Sequence, residues 1–367
     1  MSGHVRVGII GTSWWADAMH LPSLKSHTRA QIVAICGRNR DRANEMAGKY
    51  EIPRVFTDYR EMIAQADLDA LVIATPDDLH CPMTMDALDA GLHVMCEKPM
   101  ALNARQAREM YEKAEAVGVV HMILFTWRWT PYFQYLRTLI DDGYIGRCFH
   151  CHIRFLAGYG RRARYRWRFD RSRSNGILGD LGSHMIDLAR WYVSDIARVS
   201  AHLGIFVDRP GHDGQPLDPA NDSAILALEF ENGAQGMIQV SAVAHVADRD
   251  QEQHVVLHGE GGTLEVDVAL TGTGAGVVIR GARHDHDRFE TLPVPDDLWG
   301  DVDRADFLSA LVPGVFLKQS IGDRLFIDAI LEDRQVSPSF YDGLKAQEVL
   351  DAATESHRSG SWVSLSN

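Results

Sequence analysis

Between residues 5 and 125 the chain alternates short apolar, β-branched runs with helix-patterned stretches, and that alternation constrains the fold more than any other feature. "VRVGII" (5–10), "QIVAIC" (31–36), "ALVIA" (70–74) and "HVMC" (93–96) read as strands. Helical patterns fill 14–27, 40–49, 58–65 and 81–90, and another over 103–117 leads into "VVHMILF" (119–125), a further strand. Strands and helices in this rhythm predict βαβ units and a doubly wound parallel sheet, an α/β domain over residues 1–125. Such a sheet binds its ligand beyond the carboxyl ends of its strands, where the strand order reverses.

From residue 126 the pattern changes. After a helix near 131–142 come longer alternating runs at 148–157, 223–230, 234–245, 254–259 and 262–268, and "ENGA" (231–234) carries an Asn-Gly hairpin turn. They predict an α+β domain over 126–367 with a mostly antiparallel open sheet. The helix at 339–359 is free to pack back on the first domain. One face of an open sheet must be covered or polar, so a homodimer or homotetramer through that face is expected.

The bulk numbers exclude several classes. A chain of 367 residues with 46% hydrophobic and 24% charged residues can bury a core without disulfides. Five cysteines without framework spacing favour a reducing compartment. No apolar run reaches membrane-spanning length, and "MSGHVRVGII" resembles no signal peptide, so a cytoplasmic protein is expected. A net charge of −13 argues against nucleic acid as a partner.

Chemistry concentrates at strand ends. In "VRVGIIGTSWWADAMH" a strand meets a glycine turn and a helix start, and Gly11, Thr12, Ser13, Trp14, Trp15 and Ala16 align with G-x-G-x-x-G/A. Ser13 stands where a second glycine is usual, yet a hydroxyl can donate to phosphate. This predicts a Rossmann-type dinucleotide site. After the second strand the chain has Gly37, Arg38, Asn39 and Arg40 instead of an acidic residue. A guanidinium there suits a 2′-phosphate, so NAD(P) is expected, with NADP favoured over NAD.

Thr75 and Pro76 follow the 70–74 strand, where the nicotinamide half would lie, with His80 behind them. Glu97 and Lys98 precede Pro99 at the end of the 93–96 strand, an ammonium able to steady a substrate oxygen. In "GILGDLGSHMIDLARWYV" (176–193), Asp180 and His184 share a helix face with Asp187. Asp180 can orient His184 and leave its imidazole to take a hydroxyl proton.

With "GIIGTS" (8–13), "ATPDDLH" (74–80), "AGLHVMCEKPMAL" (90–102), "GDLGSHMID" (179–187), "GEGGTLEV" (259–266) and "SFYDGLKAQEVLDAATES" (339–356), the chain resembles the Gfo/Idh/MocA oxidoreductases over nearly its whole length. The resemblance implies an NAD(P)-dependent dehydrogenase acting on a secondary alcohol of a sugar or cyclitol. It implies that Lys98, Asp180 and His184 line the active site. "FTWRWTP" (125–131) matches the segment where an arginine nears the site, pointing to Arg128 with Trp127. "YRWRFD" (165–170) resembles a segment reaching the cofactor, pointing to Trp167 and Arg168.

Other signals carry less. Cys148 and Cys151 should project to opposite faces of a strand, so a zinc site with His150 and His152 is not expected. "HDHD" (284–287) reads as a loop. The arginine-rich run 160–173 suits either a subunit interface or an anionic substrate. Two other functions fit the family pattern: a glycosidase working by transient oxidation and elimination, and a catalytically silent NAD(P)-binding regulator.

Overall fold

A computed structural model describes residues 3–365. The chain forms two compact units, Met1–Phe125 with Gly300–Leu344, and Thr126–Trp299 with Lys345–Asn367. The segment 300–344 therefore joins the first unit. The cause is apolar burial: Leu311, Phe316, Phe326 and Ile327 are all fully buried, and the helix Asp323–Glu332 packs on the parallel sheet.

That sheet contains β1 (Val5–Ile10), β2 (Ala30–Cys36), β3 (Arg54–Phe56), β4 (Ala70–Ile73), β5 (His93–Glu97) and β6 (His121–Leu124). All pairs are parallel, in the order β3-β2-β1-β4-β5-β6, so the order reverses between β1 and β4. The sheet is linked by α1 (Leu21–Ser26), α2 (Arg40–Tyr50), α3 (Tyr59–Gln65), α4 (His80–Asp89) and α5 (Ala104–Val117). Every residue of β4 has 0% exposure, as expected of a strand covered on both faces. Asn39, Asp58 and Asn103 accept backbone N–H bonds at the starts of α2, α3 and α5, which fixes where those helices begin. Strand β3, three residues long, is absent from the runs named in the sequence because so short a piece shows no periodicity.

In the second unit α6 (Pro131–Asp141) precedes β7 (Cys148–Ala157), and α7 (Ser183–Tyr192) precedes β8 (Ile196–Gly204). Then follow β9 (Ser223–Phe230), β10 (Gln235–Ser241), β11 (Gln251–Gly259), β12 (Gly262–Ala269), β13 (Gly276–Arg283) and β14 (Glu290–Thr291), with β15 (Val363–Ser364) at the tail. The nine strands run β14-β13-β12-β11-β7-β10-β9-β8-β15, antiparallel except for β7 with β10. One face is apolar and closed by Ile153, Phe155, Leu226, Ile238, Val255 and Leu264, all buried. The other bears His150, His152 and Arg154, with Ile225 and Met237 exposed.

The cysteines depart from strict alternation. Cys148 and Cys151 are both buried, because the β7–β11 register slips at Phe149: His258 pairs with His150, but Gly259 pairs with Cys148. The extra residue returns Cys148 to the inner face, as a bulge does.

Candidate active site

The parallel register brings the first group of predicted residues to one edge. Ile10 pairs with Cys36 and Ile73, and Ile73 pairs with Cys96, so Gly11, Gly37, Thr75 and Lys98 all follow the carboxyl ends of neighbouring strands. Gly11 has φ +128°, and a Cβ there would lie 2.2 Å from the Ala74 carbonyl oxygen. A Cβ at Gly37 would lie 2.4 Å from Thr12. Both positions thus require glycine, and they hold the first turn tight against β2 and β4. Ser13 Oγ accepts the Ala16 N–H at 3.2 Å, and the Ser13 side chain is itself exposed. This close glycine turn at a helix start fits a dinucleotide pyrophosphate, which would take backbone amides and the Ser13 hydroxyl. Trp14 is 68% exposed and Arg38 is also exposed.

Beneath that edge lies a buried ionic group. The helix after the glycine turn opens with a wide π-type turn, Ala16–His20, which carries His20 into the core. His20 Nδ1 is 2.9 Å from Asp323 and its Nε2 is 3.1 Å from Glu97. Trp15 Nε1 donates to the same Glu97 at 2.6 Å, and Glu97 accepts the Lys98 backbone N–H at 3.1 Å. Burial opposes a charged His20, but Asp323 and Glu97 outweigh it and raise its pKa to about 10. Burial likewise opposes a charged Glu97, yet His20, Lys98 and Trp15 hold its pKa below the ordinary value. The Lys98 backbone therefore rests on a carboxylate fixed from two sides.

His80 braces the same loop differently. Fully buried, it lies with Nδ1 2.8 Å from the Pro99 carbonyl and Nε2 2.9 Å from the Thr75 carbonyl, one of which accepts its N–H. Burial lowers its pKa against the pull of those carbonyls. It brings the segment after β4 against the segment after β5, where the half-buried Lys98 joins Pro99 through a cis peptide bond.

In the second unit the helix bearing the other predicted residues also opens with a wide turn, Leu178–Gly182, running directly into α7. Gly176 has φ +66° and a Cβ there would meet Asn221 at 2.5 Å, so the entry to the turn needs glycine. Asn221 then accepts the Leu178 N–H at 2.9 Å and pins the turn's start. π-type turns recur at functional positions because they re-aim the side chains beyond them.

Asp180 sits in this turn. It accepts a 2.5 Å hydrogen bond from the Tyr159 hydroxyl, and Arg168 Nε approaches it at 3.2 Å. Burial first, and then the Asp180 charge, push the Tyr159 pKa well above the tyrosine range, so this hydroxyl stays a donor. His184 is 5% exposed and packs edge-on to Trp127, ring centres 6.2 Å apart. Trp127 is supported in turn by Phe155 at 5.7 Å. Arg168 lies over Trp167 at 4.4 Å. Arg128 is buried with its guanidinium committed to the fully buried Asp187 and 5.3 Å from the Trp191 ring, which anchors the segment carrying Trp127 to α7.

A family model described as "Oxidoreductase family, NAD-binding Rossmann fold" matches residues 5–125, and the GFO/IDH/MocA C-terminal domain matches 133–265. The chain belongs to the Gfo/Idh/MocA oxidoreductase family. Levoglucosan dehydrogenase of Pseudarthrobacter phenanthrenivorans is 29% identical over 90% of this chain and 88% of its own length. D-glucoside 3-dehydrogenase of Escherichia coli is 30% identical over 68% of this chain and 73% of its own. The solved complex of levoglucosan dehydrogenase with NADH and levoglucosan superposes with a TM-score of 0.87 at 26% identity, covering 99% of this chain and 100% of that one. As a Gfo/Idh/MocA member the chain is an NAD-binding oxidoreductase of a family of sugar and cyclitol dehydrogenases, with the parallel-sheet and open-sheet architecture expected. Among the described residues no helix is long and apolar enough to cross a membrane.

Sequence reasoning missed His20, Asp323 and Tyr159. Nothing local marks them: His20 and Asp323 are separated by 303 positions, and Tyr159 lies 21 residues before Asp180 on a different element.

Proposed function

We propose that this protein oxidises a secondary alcohol of a sugar or cyclitol, or reduces the matching ketone, with Lys98, Asp180 and His184 as its working groups. The observation that carries the reading is the setting of Asp180 and His184. A buried histidine on α7 follows a carboxylate that the Tyr159 hydroxyl and Arg168 hold in place. His184 accepts the hydroxyl proton, and Asp180 favours its protonated form. Lys98, held through Glu97 and Pro99, steadies the substrate oxygen as its charge develops. A bound nicotinamide supplies the acceptor for the hydride leaving the carbinol carbon.

Gly11, Thr12, Ser13, Trp14 and Trp15 would hold the pyrophosphate side; Thr75, Pro76, His80 and Glu97 would shape the nicotinamide end, with Trp167 and Arg168 as further cofactor contacts. Arg128 acts by fixing Asp187 and the Trp127 segment. The exposed Arg38, next to a Gly37 where a carboxylate would repel phosphate, supports a preference for NADP. The outward face of the nine-stranded sheet, with Ile225 and Met237 exposed, supports assembly with a second copy of the chain, which light scattering would measure.

The decisive experiment follows nicotinamide absorbance over a panel of sugars and cyclitols for the wild type and His184→Ala, with NADH and NADPH binding measured in parallel. Turnover should fall by roughly 100-fold or more while cofactor affinity is kept. Equal turnover in the variant removes His184 from the role, and tighter NADH than NADPH binding removes the assignment to Arg38. Net accumulation of reduced cofactor separates a dehydrogenase from an oxidation–elimination glycosidase.

A further inference from the structure

The arginine-rich run resolves into arginines with partners and one that stands out. Arg161 donates to the Val243 carbonyl, Arg171 to Pro219 with Asp218 nearby, and Arg168 meets Asp180. Arg162 and Arg164 are exposed, where water satisfies a guanidinium. Arg166 is different. It is half-buried, and among the described residues its guanidinium meets no carboxylate; its contact is the Tyr159 ring, 5.8 Å away. Burial, then Arg164 and Arg168, lower its pKa, and Arg209 adds to the repulsion.

The surroundings are built rather than loose. Arg209 is buried beneath the segment, paired with the fully buried Asp222 at 2.9 Å, bonded to the Gly160 carbonyl and 3.8 Å from the Phe169 ring. Gly160 itself has no room for a side chain, since a Cβ would lie 2.8 Å from Ala242 and 2.9 Å from Phe169. The chain thus holds a partly desolvated cation among other cations, in a protein whose overall charge is −13. Such an arrangement is unfavourable until an anion enters. Its position places that anion beside the proposed site: Arg166 lies 5.8 Å from the ring of Tyr159, whose hydroxyl binds Asp180, so one tyrosine side chain spans from it to the proposed catalytic carboxylate.

We propose that Arg166 binds a carboxylate of the substrate, making the substrate a sugar acid oxidised or reduced at a carbinol carbon facing Asp180 and His184. This assignment rests on the dehydrogenase reading above. A planar guanidinium with its donors unspent matches a carboxylate bidentately, and Arg168, engaged with Asp180, is not needed for it.

The test uses the full chain loaded with NAD or NADP, titrated calorimetrically with D-glucuronate, D-galacturonate, their neutral parents D-glucose and D-galactose, and D-glucose 6-phosphate. Reduction of the cofactor is recorded with each. At least one uronate should bind about tenfold or more tighter than its parent, as a charged hydrogen-bonded pair provides. Arg166→Met should erase that ratio, Arg166→Lys should restore part of it, and the exposed Arg162→Met should leave it alone. Equal or weaker binding of both uronates overturns the proposal. So does an advantage confined to the phosphate ester, or an Arg166→Met variant that weakens acid and neutral sugars alike. A change in sedimentation with an unaltered ratio assigns Arg166 to a subunit interface instead. A uronate advantage without cofactor reduction by any sugar overturns the dehydrogenase reading and leaves the anion site standing; turnover of neutral sugars without a uronate advantage does the reverse.

Discussion

The two units each carry an ionic assembly, and the two are balanced differently. In the first, His20 is sandwiched between Asp323 and Glu97, with Lys98 adjoining, all near charge neutrality and mostly sealed from water. In the second, Asp180 takes Tyr159 and Arg168, while Arg166 is left half-buried among Arg164, Arg168 and Arg209. A closed, neutral group fixes a backbone. A half-open group with surplus charge is suited to a ligand that completes it.

Breaking the closed group should have the larger effect. His20→Leu leaves Glu97 and Asp323 as buried carboxylates without their shared cation, at a cost of about 3–5 kcal/mol, read as a lowered denaturation midpoint. The wild type should also show a pH signature. Because His20 has a folded pKa near 10, above the free imidazole value, its contribution is complete below the free value and declines as pH rises toward 10. Glu97 acts oppositely: its lowered pKa contributes above the ordinary glutamate value and is lost as pH falls. Thermal melts across pH should show the alkaline decline in wild type and lose it in His20→Leu. An unchanged alkaline limb in the variant would assign that decline to other groups.

Loosening the open group should cost less stability and more activity. Tyr159→Phe removes one hydrogen bond to a carboxylate, about 1.5–3 kcal/mol at most. It should lower kcat by about tenfold with KM little changed, because Asp180 loses a donor that holds its carboxylate in place. Cofactor affinity should be unaltered. A variant with wild-type kcat would make Tyr159 a packing residue.

Legibility followed the range of the interactions. The turn at Gly11, the strand end at Lys98 and the helix at Asp180 and His184 were readable because local patterning creates them: β-branched runs, a proline restriction and a four-residue helical spacing. Strands β8 and β13 were not, since one mixes polar with apolar residues and the other is bracketed by glycines. The strict alternation assumed for Cys148 and Cys151 failed at one extra residue in β7, which only the neighbouring strand's register reveals.

The amino-acid order alone determined the two-region plan, the dinucleotide-type turn and the strand-end and helix positions of Lys98, Asp180 and His184, because each depends on periodicity or on backbone limits within a few residues. Tertiary structure alone decided which of those residues are braced and by what. His20 finds Asp323 across 303 positions, Arg128 finds Asp187 across 59, and segment 300–344 joins the first unit by burying its apolar side chains. Charge pairing and apolar burial act on distance in space, and a linear order does not contain that distance until the chain has folded.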